Sequence, residues 1–235
     1  MAMDYSERAL QLRERMAALG NPDHVADMAR FGVDPASVKA FGVRTPAIKA
    51  IAKEVGKDQQ LAEELWEMVV LELRVLAMFI AEPKKFTEEL AEKWVSDLDN
   101  WAVCDGACFH ILYKTEFAYR KCFEWSERSE EFVKRAGFAL MAKVAISHKK
   151  RPDEEIAAFL PVIKREATDE RHFVKKAVNW ALRQVGKRSP TLNKAAIKTA
   201  EEIDKLDTKA ARWIAKDALR ELKGEAVRKR LGISE

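Results

Sequence analysis

Apolar side chains recur at three- and four-residue spacing in one segment after another: Leu61, Leu65, Met68 and Val69; Leu90, Trp94, Val95 and Leu98; Ile156, Phe159, Leu160 and Ile163. On an α-helix that spacing gathers them on one face, so each segment reads as an amphipathic helix whose other face meets water. Short interruptions punctuate the pattern: Gly20-Asn-Pro-Asp, Gly42-Val-Arg-Thr-Pro, Glu82-Pro, Arg151-Pro-Asp and Arg188-Ser-Pro. Each can end one helix and start the next, and connections this short predict antiparallel neighbours. The most apolar run, Met68 to Ala81, is broken by Glu72 and Arg74, well short of the roughly 18–20 clean apolar residues of a membrane span. No membrane association is expected.

The helices repeat. Phe132-Val-Lys-Arg-Ala-Gly-Phe-Ala-Leu resembles Phe173-Val-Lys-Lys-Ala-Val-Asn-Trp-Ala-Leu, with the two phenylalanines 41 residues apart. A weaker third copy, Lys209-Ala-Ala-Arg-Trp213, lies on Lys176-Ala-Val-Asn-Trp180 at a 33-residue offset. Periods near 40 with two helices per unit point to HEAT- or armadillo-like stacking, in which no unit buries its apolar face alone. The expectation is an all-α, α-α superhelical solenoid forming a single repeat domain over residues 1–235, with one helix of each pair lining a concave face. Nine glycines and seven prolines are too few for the turns of an all-β fold.

Composition adds two constraints. Hydrophobic residues make up 48% and charged residues 34% of the 235, which excludes disorder as the main state. Three cysteines, Cys104, Cys108 and Cys122, cannot close a disulfide set, and the N-terminus carries charges where a secretory signal needs an apolar stretch, so a reducing cytosol is expected. The net charge of +4 hides an asymmetry: residues 1–125 sum to −5 and residues 126–235 to +9. A locally positive surface attracts polyanions, which makes nucleic acid a candidate partner, although lysine-rich helices also solvate their outer faces this way.

Placement sharpens the partner. Lys134 and Arg135, Lys175 and Lys176, then Lys209 and Arg212 recur in successive units, and Arg183, Lys187 and Arg188 continue the second helix. On a concave lining these form a basic stripe suited to phosphates, read without sequence specificity and with strong salt dependence; on convex helices they simply face solvent. Six tryptophans are mostly core candidates, but Trp180 sits between Lys176 and Arg183, where it can stack on a sugar or base or pack inside. Trp101 and Asp105 share a helix face within Trp-Ala-Val-Cys-Asp-Gly-Ala-Cys, placing a carboxylate beside an aromatic among packing positions. Asp105 is either a catalytic carboxylate or a surface or capping one. Cys104, Cys108 and His110 lack a fourth ligand at recognisable spacing, so no metal is expected, and no phosphate loop, Ser-His-Asp order or HExxH motif is present.

Taken together, Met28-Ala-Arg-Phe31, Gly42-Val-Arg-Thr45-Pro46, Trp101-x-x-x-Asp105, Lys134-Arg135-Ala and Lys176-Ala-Val-Asn-Trp180-x-Leu-Arg183 resemble the AlkD-like DNA alkylation repair family over nearly the whole chain. The resemblance implies a cofactor-free HEAT-like DNA glycosylase that hydrolyses N7- or N3-alkylated purines in double-stranded DNA without flipping the base. It implies Asp105 as catalytic aspartate with Arg135 beside it, and Trp101, Trp180, Phe31 and Phe173 around the lesion. DNA contacts are implied at Thr45, Lys49, Lys134, Lys175, Lys176, Arg183, Lys187, Arg188, Lys209 and Arg212. A monomer is expected, cytoplasmic, or nucleoid-associated in a prokaryote. Ala102, His172 and Phe31 depart from the family pattern. Two alternatives remain, a DNA-structure-binding protein without catalysis on the same fold and a HEAT-like protein-interaction scaffold.

Overall fold

A computed structural model describes residues 6–233, with the side chain of Phe31 outside the described residues. Among the described residues every regular element is helical. The chain packs as two compact units that divide between Thr115 and Glu116. That boundary also divides the charge, −5 before it and +9 after it.

The first unit contains α1 (Glu7–Ala18), α2 (Pro22–Asp27), a 3-10 turn (Met28–Phe31), α3 (Thr45–Val55), α4 (Gln59–Glu67), α5 (Leu71–Ile80), α6 (Glu88–Ser96) and α7 (Trp101–His110). Their starts are chemically marked. Asn21, Asp58, Thr87 and Asn100 each accept a backbone N–H of the first turn through their side chains, satisfying donors that a helix leaves open. Central α5 packs on α3, α4 and α7. Behind it the fully buried rings of Trp66 and Trp94 stack at 3.9 Å, with Phe86 edge-on to Trp94 at 4.9 Å. The Arg74 guanidinium covers Trp66 at 4.8 Å, while Trp66 Nε1 donates to Asp97. Truncating either tryptophan to alanine removes about 3–5 kcal/mol of packing.

The apolar spacing through Met68 and Val69 predicts a helix that the structure ends at Glu67. Val69 instead takes φ 54°, a left-handed conformation unfavourable for a β-branched residue, and the chain turns there into α5.

The second unit contains α8 (Ala118–Ser126), α9 (Glu131–Ser147), α10 (Asp153–Ala157), α11 (Phe159–Arg165), α12 (His172–Gly186), α13 (Pro190–Ile203), α14 (Lys209–Leu222) and α15 (Glu225–Leu231). Helices α8 and α9, α11 and α12, and α13 and α14 form pairs, and α12 packs on both α9 and α14. This is the repeat the sequence predicts, and Phe132 meets Phe173 with ring centroids 5.3 Å apart. The third copy has a different register. α14 starts 37 residues after α12, so Lys209 corresponds to His172, and Trp213 rather than Lys209 to Lys176. Contacts between these helices run at a separation of 38 residues, as in Asn179 to Asp217 and Arg183 to Glu221.

Candidate functional site

In the first unit, Asn100 starts α7 by accepting from Val103 N at 3.0 Å. The helix buries Val103, Cys104, Ala107 and Cys108. Gly106 lets it close on α5, since a Cβ there would meet Met78 Sδ at 2.8 Å. Burying that side leaves Trp101 and Asp105, one turn apart, half-buried on the other. A Cβ built on Gly32, which has φ 77°, would stand 3.9 Å from Trp101 Nε1, so the turn that follows Met28–Phe31 passes near that ring. Of the two residues expected on α3, Thr45 and Lys49 are both exposed, and the Lys49 ammonium sits 5.8 Å from the Phe79 ring, which in turn meets His110 edge-on at 4.6 Å.

A residue that sequence reasoning passed over, Glu72, holds this region in place. Its fully buried carboxylate accepts three consecutive backbone N–H groups, from Phe41 at 2.9 Å, Gly42 at 2.7 Å and Val43 at 3.2 Å. Three donors on one anion form a cradle of charge-assisted hydrogen bonds, stronger than neutral ones. Gly42 is required there, because its φ is 83° and a Cβ would fall 2.1 Å from Asn21 O. The Gly42 carbonyl accepts from His24 Nδ1 at 3.0 Å, and His24 Nε2 accepts from Arg44 Nε at 3.1 Å. These bonds set the chain into Thr45 and Pro46, the first turn of α3. A cavity of about 560 Å³ opens beside it, lined in part by Met28, Arg44, Thr45 and Val75. The only sequence signal was the pair of charges, Glu72 and Arg74, inside an apolar run.

The second unit holds Arg135, Phe173 and Trp180. Arg135 is buried and donates to Phe173 O at 2.7 Å, its guanidinium 6.0 Å from the Phe173 ring. Trp180 is half-buried on α12. The expected cations divide into two groups. Lys134 is bound to Glu166 at 2.6 Å, Arg183 to Glu221 at 2.6 Å, Lys187 to Glu221 at 2.5 Å and Arg188 to Asp153 at 3.0 Å. Arg188 also donates to the carbonyls of Ala145, His148 and Arg151, tying the end of α9 to the start of α13. Burial pushes the Glu166 and Glu221 carboxyls up, but hydrogen bonds and charge from these cations more than offset it and hold both below the usual glutamate value. Lys176, Lys209 and Arg212 are exposed, Arg212 pairing only with the exposed Asp207, and half-buried Lys175 lies 5.5 Å from the Trp213 ring. Desolvation and then the charges of Lys176, Lys175 and Arg135 push the His172 imidazole below its ordinary value.

Cys104, Cys108 and Cys122 are buried thiols, and burial drives that of Cys122 upward. Among the described residues no three His, Cys, Asp or Glu side chains gather as metal ligands, and no helix is long and apolar enough to cross a membrane.

Residues 12–222, spanning most of both units, match the family of DNA alkylation repair enzymes. A Listeria innocua protein, the uncharacterized protein Lin0241, is 25% identical over 199 residues, which cover 83% of this chain and 86% of that one. A solved structure of "a new family of proteins related to the HEAT-like repeat DNA glycosylases with affinity for branched DNA structures" is similar at TM-score 0.76 and 24% identity, covering 99% of this chain and 98% of the other. A designed armadillo repeat protein in complex with the peptide (KR)4 reaches TM-score 0.41 at 12% identity, over 75% of this chain and 92% of its own. The likeness at TM-score 0.76 shows a fold of the HEAT-like repeat kind.

Proposed function

Because this chain belongs to the DNA alkylation repair enzyme family, we propose that it is a DNA glycosylase acting on N7- and N3-alkylated purines in duplex DNA, with Asp105 as its catalytic carboxylate. The observation that carries the proposal is the side of α7 away from its fully buried residues, where Asp105 follows Trp101 by one turn and both are half-buried.

The chemistry suits that pair. An N7- or N3-alkylated purine is already cationic, so it departs as a neutral base with the electron pair of the C1′–N bond and needs no general acid. Positive charge moves onto the sugar as an oxocarbenium-like species. A fixed carboxylate stabilises that charge where it develops and orients the attacking water, whose proton passes to the carboxylate and then to solvent. The products are the free base and an abasic site. Trp101, one turn from Asp105, adds cation–π stabilisation of about 0.5–2 kcal/mol where desolvated, and Trp180 of the second unit is assigned to the lesion by the family resemblance. Because the sugar is attacked without extracting the base, no flipped-base pocket is needed.

Arg135, fixed to Phe173 O, holds the first turn of α12, which carries Phe173, Lys175 and Lys176. Exposed Lys176, Lys209 and Arg212, with Thr45 and Lys49 from α3, supply phosphate contacts. In this reading residues 1–235 are a single DNA-binding domain that acts as a monomer in the cytoplasm, and at the nucleoid if the cell is prokaryotic.

The test is release of 7-methylguanine from methylated duplex by the wild type and by Asp105→Asn. The wild type should exceed the uncatalysed rate, with Asp105→Asn about 100-fold slower or worse. An Asp105→Asn enzyme of full activity removes Asp105 from the reaction. Absence of release by either, with DNA binding intact, favours instead a DNA-structure-binding protein without hydrolysis, the reading closest to the solved relative with affinity for branched DNA. Absence of DNA binding at low salt leaves a protein-interaction scaffold.

A further inference from the structure

Helix α14 buries Ala210, Ala211, Ile214, Ala215, Ala218 and Leu222. At 3.6 residues per turn Trp213 falls on the opposite side, among Lys209, Lys216 and Arg220, and it is 40% exposed. The helix is anchored on its other side by alanines, Ile214 and Leu222, and the position of α12 that corresponds to Trp213 is Lys176. At 40% exposure the ring stays partly open to solvent at a position where the neighbouring repeat carries a lysine, and a tryptophan so placed offers a large aromatic contact surface with a polar edge.

Its surroundings identify that ligand. The Lys175 ammonium lies 5.5 Å from the ring centroid, within cation–π range, so a cation from the neighbouring repeat pairs with the ring. Lys176, Lys209 and Lys216 are exposed nearby on the two helices. Of the acidic side chains there, Asp217 accepts from Asn179 at 2.7 Å and also pairs with Arg220 and Arg183, and exposed Asp207 pairs with Arg212 at 2.9 Å. The low proton affinity of His172, set by desolvation and by Lys176 and Lys175, reports the same positive field at the start of α12.

A flat aromatic face ringed by cations matches one ligand chemistry: a nucleobase to stack, flanked by phosphates to neutralise. In a paired duplex both faces of every internal base are covered by its neighbours, so such a duplex offers only phosphates. We propose that Trp213, with Lys175, forms a stacking platform for an unpaired nucleotide of DNA, as found at a bulge, gap or branch point, separate from the Trp101–Asp105 site. The inference rests on the DNA-binding reading above and deepens it, because it assigns a preference among DNA structures to one side chain.

Fluorescence anisotropy tests it, using an end-labelled duplex and the same duplex carrying a bulged thymidine, with the wild type, Trp213→Ala and Trp213→Phe. The wild type should bind the bulged duplex about 5- to 150-fold more tightly, the range for stacking one base on an aromatic ring. Trp213→Ala should bind both duplexes with the wild-type affinity for the paired one, and Trp213→Phe should keep part of the preference. Unchanged circular dichroism and melting show that the variants fold. A wild type that does not discriminate, or a Trp213→Ala that still does, overturns the platform while salt-sensitive duplex binding survives. Loss of all duplex binding by the wild type at low salt overturns the DNA-binding reading itself. Displacement of the bulged duplex by polyglutamate that depends on Trp213 would overturn it in favour of an acidic peptide.

Discussion

Replacing Glu72 by glutamine exchanges one carboxylate oxygen for an NH2 group at the centre of the first unit and should be felt well beyond it. The carboxylate accepts from Gly42 and Val43 through Oε1 and from Phe41 through Oε2. In Glu72→Gln the amide oxygen takes the Oε1 position and keeps two bonds, now neutral rather than charge-assisted, at a loss of about 0.5–1.5 kcal/mol each. The amide NH2 takes the Oε2 position and faces the Phe41 N–H, donor against donor, leaving a part-buried amide unpaired at about 1–3 kcal/mol. Relief of burying the charge returns part of this, so the net loss is about 2–4 kcal/mol, a large fraction of the roughly 5–15 kcal/mol of a domain. At about 2–4 °C per kcal/mol for a chain of this size, the melting temperature should fall by about 5–15 °C. Thermal melting by circular dichroism measures the total. Hydrogen exchange locates it: protection should be lost first at 41–43 and at the start of α3, where Thr45 and Lys49 stand. Glu72→Gln melting within 1 °C of wild type, or with 41–43 still protected, would refute the reasoning that this carboxylate organises the loop.

The strained turn at Val69 predicts the opposite sign: Val69→Gly relieves a φ of 54° at an exposed residue and should raise stability by about 1 kcal/mol, measured in urea, and a lower midpoint would contradict it. His172 binds its proton weakly in the free protein because of desolvation and then Lys176, Lys175 and Arg135. A bound phosphate opposes that field and raises the affinity for the proton, so DNA binding takes up a proton and should strengthen as the pH falls toward and below the ordinary histidine value of 6.5, measured as affinity against pH. His172→Gln should lose that component, and a pH dependence left intact in the variant assigns it elsewhere. Lys176→Ala should flatten the dependence of log affinity on log salt by about 0.9, one phosphate contact, whereas Arg183→Ala, losing the bridge to Glu221, should mainly lower the melting temperature. Equal slope changes in the two variants would erase the distinction between exposed and paired cations.

Which features were legible from sequence follows from how local their causes are. Helix starts such as Ser189-Pro190 depend on a cap and a proline a few residues long, and the structure has Ser189 accepting from Leu192 N and Pro190 opening α13. The Phe132–Phe173 repeat was legible because the same helix face is packed twice. The third copy was misplaced by the difference between 33 and 37 residues, close to one helical turn, so the apolar and basic faces still matched while every residue equivalence slid. Glu72 carried no motif because its partners are backbone N–H groups, which every sequence has. The carboxylates that hold Lys134, Arg183 and Lys187 lie 32, 38 and 34 residues away, beyond any spacing rule. At Trp101 and Asp105, by contrast, i and i+4 spacing alone placed both on one side of α7.

Those distant carboxylates change what a charge of +9 on the second unit means. A lysine such as Lys134, with a side chain 12% exposed, pairs with the similarly enclosed Glu166 at 2.6 Å, and turning to a phosphate would break that pair and leave Glu166 to Arg165 alone. Phosphate contact therefore falls to the cations with no enclosed partner. Of the eight expected in this unit, Lys134, Arg183, Lys187 and Arg188 hold helix to helix, leaving Lys175, Lys176, Lys209 and Arg212. Four contacts imply a salt slope near −4 from this unit and eight imply one near −7. The four that remain lie on α12 and α14, the helices that carry Trp180 and Trp213. On the proposed reading, nonspecific attraction and aromatic contact come from the same pair of helices, while the acidic residues that pair Lys134, Arg183, Lys187 and Arg188 keep those cations in helix-to-helix contacts.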